Sequence, residues 1–334
     1  SIDQEYPLAF SPHNLSNIRI ITAEDKVVSH AVFRPLHLRT TYGLLKIATI
    51  GSVVTREDAR NQGHSQKIIN NCLQSAQKQG CDFAILWTDK FDFYRKSGFE
   101  LCGSEIRVVV DKTCGFRVDG VNVVHSSRIS PEAVLTLYNQ HTVTSLRTAG
   151  DIAKYLNIPN SRVYSVWNQQ NHLLAYAVEG KGVDLALHIH EWGGSVSHLL
   201  HLFDHIFTTT QKPFTVLMPQ HSQNLVKSCR ESNWTVVPGF LGMIKLLNHD
   251  LFFAKIKKYL RMVGVNNFAL EKRGEFFYIG FGDQIYRTDL EKDILFILLG
   301  PHSDEHLATF DAKSREQLKE FFPLPLWLWG WDSI

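Results

Sequence analysis

The chain has 334 residues, of which 44% are hydrophobic, and its formal charge is +2. This is the composition of a globular protein that is long enough for two or three domains. Proteins whose main partner is nucleic acid generally carry a basic excess. The near-neutral charge therefore argues against a nucleic-acid partner.

The five cysteines are widely spaced and odd in number, and they contain no Cys-x-x-Cys pair. A disulfide framework or a zinc ribbon is therefore not expected, and reduced thiols in a cytoplasmic protein are the simpler interpretation. No charged segment followed by an apolar run opens the chain, so no secretory signal is predicted. The apolar stretch 324–331 is too short to span a bilayer. It predicts a tail packed onto the protein and no membrane partner.

The first block of the chain predicts the element order β-β-β-α-β-α-β. Two short strands, IRIIT and VVSHAVFRP, precede the longer LLKIATIGSVVT (44–55), whose branched apolar residues are typical of a strand buried on both faces. The helix that follows has an apolar face formed by Ile68, Ile69, Cys72, Leu73 and Ala76. The strand CDFAILWTD (81–89), the short helix FDFYRKSG and the strand FELCGSEIRVVV (99–110) complete the block.

The second block repeats this order of elements. Helices are predicted at 131–142, 197–207 and around 222–232, and strands at 162–168, 172–180, 183–192, 214–219 and 236–247. The ends of the two blocks also match by eye, with Arg95 beside Arg230 and Ser97 beside Ser232. The repeated order favours a tandem duplication. The last block, 250–334, predicts a small α+β domain with a helix, three strands and a second helix.

The stretch SVVTREDARNQGHSQKIINNCL (52–73) changes from a strand to a polar loop and then to an amphipathic helix. A helix N-terminus with free backbone amides carries about half a positive charge, so it suits an anion. Gly63 lets the backbone approach a ligand, Ser65 is expected to cap the helix, and Arg60 supplies a permanent cation. The nucleotide-binding patterns GxxxxGK[ST] and GxGxxG do not occur there. The junction therefore predicts an anion site of another kind.

Two motifs of the first block resemble those of the GCN5-related N-acetyltransferases, the GNAT family. The pattern Arg60-x-x-Gly63-x-Ser65, directly after a strand ending in VVT, is similar to the family's pyrophosphate loop, Arg/Gln-x-x-Gly-x-Gly/Ala. The stretch FYRKSGFE (93–100) is similar to its second signature, a tyrosine ahead of a Gly-Phe pair. The resemblance covers residues 15–110 and leaves the family's first strand without a counterpart. It departs from the pattern at Ser65.

The resemblance implies an α/β (α+β) fold class. Tandem GNAT folds with mixed, mostly antiparallel sheets and flanking helices would be followed by a small sterol-carrier-like α+β domain. One active copy, one degenerate copy and such a domain resemble the enhanced-intracellular-survival acetyltransferases. The expected domains are an acetyl-CoA-binding catalytic domain (1–112), a degenerate second copy without a phosphate loop (113–248) and the C-terminal domain (249–334).

The resemblance also implies an activity, the transfer of an acetyl group from acetyl-CoA to a small primary amine or a lysine by direct attack. The pantetheine arm would pair along the strand at Val53 and Val54, and the amide of Val54 would polarise the thioester carbonyl. Tyr94 would protonate the departing thiolate. The remaining cofactor-binding residues would be those of the loop, Arg60, Asn61, Gln62, Gly63, His64 and Ser65.

The base that deprotonates the acceptor amine stays open. In the tandem relatives the chain's own C-terminal carboxylate enters the active site, which would make Ile334 the residue and the apolar tail its anchor. Asp89 and Asp92 follow the strand 81–89 on the acceptor side and are alternatives, although acidic residues at loop ends are usually solvated. Tyr94 also has an alternative role, as a tyrosine of the core.

No metal is expected. Two histidines share a strand face and three share a helix face, namely His188 and His190, and His198, His201 and His205. Zinc normally needs three or four converging ligands, and the HExxH motif does not occur. The acceptor pocket is expected from the loop FRPLHLRTTYG (33–43) and from the second block. A non-catalytic acyl-CoA-binding sensor or scaffold is the alternative function, and the sequence leaves the oligomeric state unknown.

Overall fold

The computed structural model of the chain describes residues 1–183, 185–301, 307–308 and 310–334. These residues form two compact units. Unit 1 contains Ser1–Asn14, Glu105–Gly239 and Leu328–Ser333, and unit 2 contains Leu15–Ser104, Phe240–Trp327 and Ile334. The division into domains at 1–112, 113–248 and 249–334 stays a prediction, and each unit combines segments from more than one of these blocks.

The elements are numbered along the described chain. The strands are β1 (Ile18–Ala23), β2 (Lys26–Thr40), β3 (Gly43–Thr55), β4 (Phe83–Leu86), β5 (Glu100–Val110), β6 (Val121–His125), β7 (Thr144–Ser145), β8 (Arg162–Asn168), β9 (Leu173–Glu179), β10 (His188–Gly194), β11 (Phe214–Pro219), β12 (Thr235–Leu246), β13 (Phe268–Arg273), β14 (Phe276–Phe281) and β15 (Gln284–Thr288). The α-helices are α1 (Ile2–Glu5), α2 (His64–Lys78), α3 (Phe91–Arg95), α4 (Pro131–Tyr138), α5 (Ala149–Tyr155), α6 (Val196–Thr210), α7 (Gln223–Glu231), α8 (His249–Met262), α9 (Glu291–Leu299) and α10 (Ala312–Phe321). Short 3-10 helices lie at Pro12–Asn17, Glu57–Ala59 and Gly330–Asp332.

Unit 2 holds a mixed sheet with the strand order β1-β2-β3-β4-β12. The first three strands pair antiparallel, and β3 runs parallel to β4. A parallel pair needs a crossover connection, and α2 supplies it. The second half of β12, from Phe240 onward, completes the sheet by pairing antiparallel with β4, with Met243 opposite Leu86.

The core of unit 2 lies between α2 and the sheet. All five residues of the predicted apolar face of α2 are buried, and they share one cluster with Phe33 of β2 and with Ala48 and Ile50 of β3. Five successive residues of β3, from Ile47 to Gly51, are buried, which confirms the predicted burial on both faces. The helix is thus held against the strand that precedes it in the chain.

The strands of unit 1 follow the order β5-β11-β10-β9-β8-β6, with mixed directions. Glu105–Val110 of β5 pair antiparallel with β11, which itself runs parallel to β10. The connection from β10 to β11 is α6, so this unit repeats the strand-helix-strand arrangement of unit 2. Its core includes Tyr155 of α5 and Trp331 of the tail, which confirms that the apolar tail packs onto the protein.

The last block contributes a small antiparallel sheet to unit 2, with the order β13-β14-β15. Its helix α8 is tied to the first block by a partly buried ion pair. Lys255 donates to both carboxylate oxygens of Asp82, at 2.8 and 2.6 Å, and Asp82 also accepts from the amide of Lys46 at 2.8 Å. The sterol-carrier-like character of this block stays a prediction.

The predicted class, a mixed α/β fold with flanking helices, is confirmed. Five of the numbered elements were not predicted, α1, β6, β7, α5 and α10. The strand predicted over 183–192 begins at His188, and its residue Asp184 lies outside the described residues. Among the described helices, none is long and apolar enough to cross a membrane.

The stretch 33–43 was expected to be a loop of the acceptor pocket, and its loop conformation is wrong, because most of it is the second half of β2. Leu36, Leu38 and Thr40 are buried while His37 and Arg39 are exposed, which is the period of two that defines a half-buried strand. This part of β2 pairs with β3 along its length. It therefore belongs to the sheet.

Candidate active site

The candidate site begins where β3 separates from β4. Their parallel ladder ends with Thr49 opposite Ile85, while β3 runs on to Thr55. In the described part of the chain, the edge of β3 that faces β4 is thus released from strand pairing after Thr49. A released strand edge can pair with an extended ligand through its backbone. The predicted contact residues Val53 and Val54 lie on this part of β3.

A β-bulge follows the separation directly. Gly51 and Val54 of β3 pair with Val32 and His30 of β2. One residue lies between the two partners on β2, whereas two residues, Ser52 and Val53, lie between Gly51 and Val54 on β3. Ser52 has a φ of 50°, in the left-handed region that few non-glycine residues adopt. A bulge leaves its extra residue outside the ladder and redirects its backbone groups. The isolated Gly51 inside an apolar strand was the sequence signal for this feature, which we did not predict.

Val53 and Val54 have different surroundings. The side chain of Val53 packs against the core of unit 2, whereas Val54 is 59% exposed. The carbonyl of Val54 accepts a hydrogen bond from the Ser29 hydroxyl at 3.1 Å. The end of β3 is therefore anchored on one side and open on the other.

The loop after β3 leads into the first turn of α2. Gly63 is the N-cap residue with a φ of 77°, and no side chain caps the helix. A Cβ placed on Gly63 would have nothing within 4 Å, so the backbone is accessible at this point. The amides of the first turn lack a capping partner, and together with the helix dipole they attract an anion.

The prediction that Ser65 caps α2 is wrong. A capping residue must precede the helix, and Ser65 is its second residue, after His64. The Ser65 hydroxyl instead lies 2.7 Å from the hydroxyl of Thr55, the last residue of β3. Its hydrogen bond thus joins the two ends of the loop.

Arg60 lies in the loop with an exposed guanidinium. Its Nη1 is 3.4 Å from the still more exposed carboxylate of Glu57. An exposed pair of this kind contributes about 0–1 kcal/mol, so Arg60 can exchange Glu57 for the oxygens of a ligand. Of the other predicted loop residues, Asn61 has a left-handed φ of 63°, Gln62 donates its side-chain amide within the loop at 3.5 Å, and His64 begins α2.

Tyr94 lies in the core beside α2. It is 9% exposed, and its ring packs edge-on against Phe93 and Phe99, with ring centres 5.0 and 6.1 Å apart. Burial raises the pKa of the Tyr94 phenol, so the phenol keeps its proton at neutral pH. The same packing suits a tyrosine of the core, and the catalytic role of Tyr94 stays a prediction.

Ile334, the last residue of the chain, lies against β3. A Cβ placed on Gly51 would lie 2.5 Å from the carbonyl carbon of Ile334 and 2.8 Å from its Cβ, closer than real Cβ contacts come. Position 51 therefore has no room for a side chain while Ile334 keeps this contact. This contact brings the predicted base to the residue that precedes the bulge.

Asp89 and Asp92, the alternative bases, line a cleft of about 400 Å³ beside α3, together with Phe91 and Phe93. The carboxylate of Asp92 is almost fully exposed and pairs with Arg95 at 2.7 Å. This environment is that of an ordinary surface ion pair. The structure therefore adds nothing that favours Asp92 as a base.

The two predicted sets of histidines have separate hydrogen-bond partners. His190 is buried with Nε2 3.2 Å from the Gly180 carbonyl, and His201 Nδ1 accepts from the Val118 amide at 3.1 Å. Burial lowers the pKa of His190 to about 3, so its imidazole is neutral. Within the described ranges, no group of three or more His, Cys, Asp or Glu residues could hold a metal ion.

Unit 1 repeats the strand arrangement of the site without its loop residues. The ladder between β10 and β11 ends with Ile189 opposite Val216, β10 runs on to Gly194, and its register with β9 shifts after Ile189. The junction with α6 reads HEWGGSVSH and has no arginine. Cys229 precedes Arg230 as Tyr94 precedes the matched Arg95. It is buried, and burial raises its pKa to about 12.

A model of the acetyltransferase (GNAT) domain family matches residues 5–102, the range that holds both motifs. No curated protein matches the sequence. The family predicted from the two motifs is thereby confirmed for this part of the chain.

Solved structures share the fold over most of the chain. A GCN5-related N-acetyltransferase from Anabaena variabilis has a TM-score of 0.63 at 14% identity, covering 97% of this chain and 93% of that one. A probable N-acyltransferase from Enterococcus faecalis has a TM-score of 0.61 at 13% identity, covering 98% and 95%. Eis1 from Mycobacterium abscessus has a TM-score of 0.58 at 11% identity, covering 95% and 90%. These likenesses concern the fold alone, and they are consistent with the tandem type.

The close approach of Gly51 and Ile334 predicts the behaviour of a Gly51→Ala variant. The added methyl group overlaps the backbone of Ile334, and overpacking of this kind costs about 1–3 kcal/mol. We expect the terminal residue to detach, so that carboxypeptidase releases isoleucine at least about fivefold faster than from the wild type. The matched control is Gly150→Ala, because a Cβ there meets its nearest atom at an ordinary 3.6 Å. The contact would be contradicted if Gly51→Ala released isoleucine at the wild-type rate and kept the wild-type melting temperature.

Proposed function

Because the chain carries a GNAT acetyltransferase domain over residues 5–102, we propose that it is an N-acetyltransferase that moves the acetyl group of acetyl-CoA to a primary amine, a small amine or a lysine. The observation that carries the proposal is the separation of β3 from β4 after Thr49, ahead of an uncapped helix start. A strand edge suits the extended pantetheine arm, and the helix start suits the diphosphate.

The coenzyme site comprises the end of β3 and the loop to α2. The backbone of Val53, inside the bulge, would pair with the amides of the pantetheine arm, whereas Val54 is paired with His30 of β2. The diphosphate would accept hydrogen bonds from the amides between Arg60 and Ser65, and the exposed guanidinium of Arg60 would exchange its weak pair with Glu57 for a phosphate oxygen. Gly63 fits this role because no Cβ stands between its backbone and the ligand.

The chemical step is a direct transfer. The lone pair of the neutral amine attacks the acetyl carbonyl carbon, a C–N bond forms, and the C–S bond breaks as the thiolate departs. A backbone amide of the bulge would stabilise the negative charge that develops on the carbonyl oxygen. Val54 itself pairs with His30 of β2, so the amide expected from the sequence faces the other edge of β3. Tyr94 would donate its phenol proton to the thiolate.

The acceptor amine must lose protons to the protein, since it is an ammonium ion in water at neutral pH. We propose the terminal carboxylate of Ile334 as the base in this 334-residue chain. Its support is the contact with Gly51, which places the terminal residue beside the bulge of β3. The apolar tail before it would act as its anchor.

The proposed function predicts both binding and turnover. Calorimetry on the wild type is expected to detect uptake of acetyl-CoA, and a panel of primary amines and lysine peptides is expected to release free CoA. The matched controls are the N,N-dimethyl forms of the same amines, which lack the N–H needed for a stable amide. No binding of acetyl-CoA refutes the proposal, and binding without turnover on any amine refutes the enzymatic part.

Tyr94→Phe tests the proposed acid. The ring and its packing remain while the proton donor is lost, so turnover is expected to fall at least about tenfold with unchanged affinity for acetyl-CoA. Because burial raises the pKa of Tyr94 above its ordinary value of 10.0, wild-type turnover should show no alkaline loss from this group below that pH. The control is Tyr278→Phe on β14. Full turnover in Tyr94→Phe removes Tyr94 from the mechanism.

A three-residue extension after Ile334 tests the proposed base. It moves the carboxylate away from Gly51 and leaves a peptide bond, which is not a base, in its place. Turnover should fall at least about tenfold, with the acid limb of its pH profile displaced and acetyl-CoA affinity retained. The same residues added before Ser1 are the control. Unchanged kinetics in the C-terminal extension would exclude the carboxylate.

A further inference from the structure

The departure from the family pattern at Ser65 has a counterpart in the structure. Three hydroxyl groups form a chain in unit 2. Ser65 Oγ lies 2.7 Å from Thr55 Oγ1, Thr55 Oγ1 lies 2.8 Å from Ser29 Oγ, and Ser29 Oγ lies 3.1 Å from the Val54 carbonyl oxygen. The chain runs from the first turn of α2 to the end of β3 and on to β2.

The direction of this chain follows from counting protons. Each hydroxyl has one proton to donate, and a carbonyl oxygen can only accept. The Ser29 hydroxyl therefore donates its hydrogen bond to the Val54 carbonyl, so the Thr55 hydroxyl must donate to Ser29. The proton of Thr55 is then used, so Ser65 must donate to Thr55. The Ser65 hydroxyl consequently has no proton left for a phosphate oxygen.

The same chain closes the loop that carries Arg60 and Gly63. Thr55 and Ser65 are ten residues apart, and their hydrogen bond fixes the two ends of the segment between them. The next residue, Gln66, donates to the hydroxyl of Ser97 in the turn after Tyr94. The first turn of α2 is thus fastened both to β3 and to that turn. Fastening a binding loop before the ligand arrives lowers the entropy lost on binding.

We propose that Ser65 is a positioning residue, which holds the start of α2 to the end of β3 and so preorganises the cradle for the coenzyme's diphosphate. The inference rests on the proposed function. It assigns the side chain of Ser65 to Thr55 and leaves only its backbone amide for the ligand. The opposite possibility is that Ser65 merely crowds the cradle, where the family has glycine or alanine.

The Ser65→Ala variant distinguishes positioning from crowding, because the two predict opposite changes in the affinity for acetyl-CoA. Loss of positioning should weaken acetyl-CoA binding in calorimetry by about threefold to tenfold, raising KM with kcat unchanged. Relief of crowding would tighten it. Acetyl-pantetheine, which lacks the diphosphate, should be used equally well by both proteins. Equal loss with both substrates would indicate a general structural defect and would overturn the proposal.

Four further variants complete the test. Thr55→Val should reproduce the loss of Ser65→Ala, and the double variant should be no weaker than either single one, because both remove the same hydrogen bond. Ser65→Thr keeps a hydroxyl and should restore binding. Ser75→Ala is the matched control. It removes a serine hydroxyl from the same helix, where Ser75 accepts from Arg19 at 2.9 Å, away from the loop, and should leave affinity unchanged.

The outcomes distinguish this inference from the proposed function. A wild type that binds no acetyl-CoA refutes the function and the inference with it. If the wild type binds acetyl-CoA and Ser65→Ala binds it with the same affinity, the inference alone is refuted. Binding that is tighter in Ser65→Ala also refutes it and leaves the function intact.

Discussion

The end of the β3–β4 ladder at Thr49 is the constraint on which the candidate site depends. A parallel pair needs a crossover, and α2, held on the sheet by its buried apolar face, supplies it. A helix that follows one strand of such a pair begins beyond the carboxyl end of that strand, which is where open α/β sheets bind ligands. The backbone topology alone therefore brings three features together: the released edge of β3, the bulge at Ser52 and the uncapped start of α2.

Unit 1 shows that this topology is not sufficient for the same chemistry. It has the same parallel separation on β10 and a register shift after Ile189, but its junction lacks an arginine. The tail occupies part of this region. A Cβ on Gly330 would lie 2.5 Å from the Cγ of His190, and the amide of Trp331 reaches Glu191 at 3.4 Å. A fold of this kind supplies the place, and the residues at the junction determine what can bind there.

The sequence predicted the parts of the fold that depend on short-range periodicity. The apolar face of α2 and the buried strand β3 are examples, because each is specified by consecutive residues. It could not indicate that β12 completes the sheet of unit 2, since strand partners far apart in the chain leave no local pattern. Within the site, the motif placed Arg60 and Gly63 in the loop. The role of Ser65 was missed because its hydrogen bond to Thr55 depends on the residue at which α2 begins, and the sequence pattern does not fix that residue.

Buried charged groups hold the tail in unit 1. Arg147 binds both oxygens of Glu191 at 2.8 and 3.1 Å and reaches Asp332 at 2.6 Å, and all three side chains are buried. Lys181 donates to three carbonyls of the tail, those of Gly330, Trp331 and Ser333. Leucine and tryptophan alternate in this tail and could bury their side chains in more than one register. A buried ion pair is satisfied in only one register, because leaving a charge unpaired there costs several kcal/mol, roughly 3–5. The charges therefore specify the register, while the buried leucine and tryptophan side chains supply apolar area.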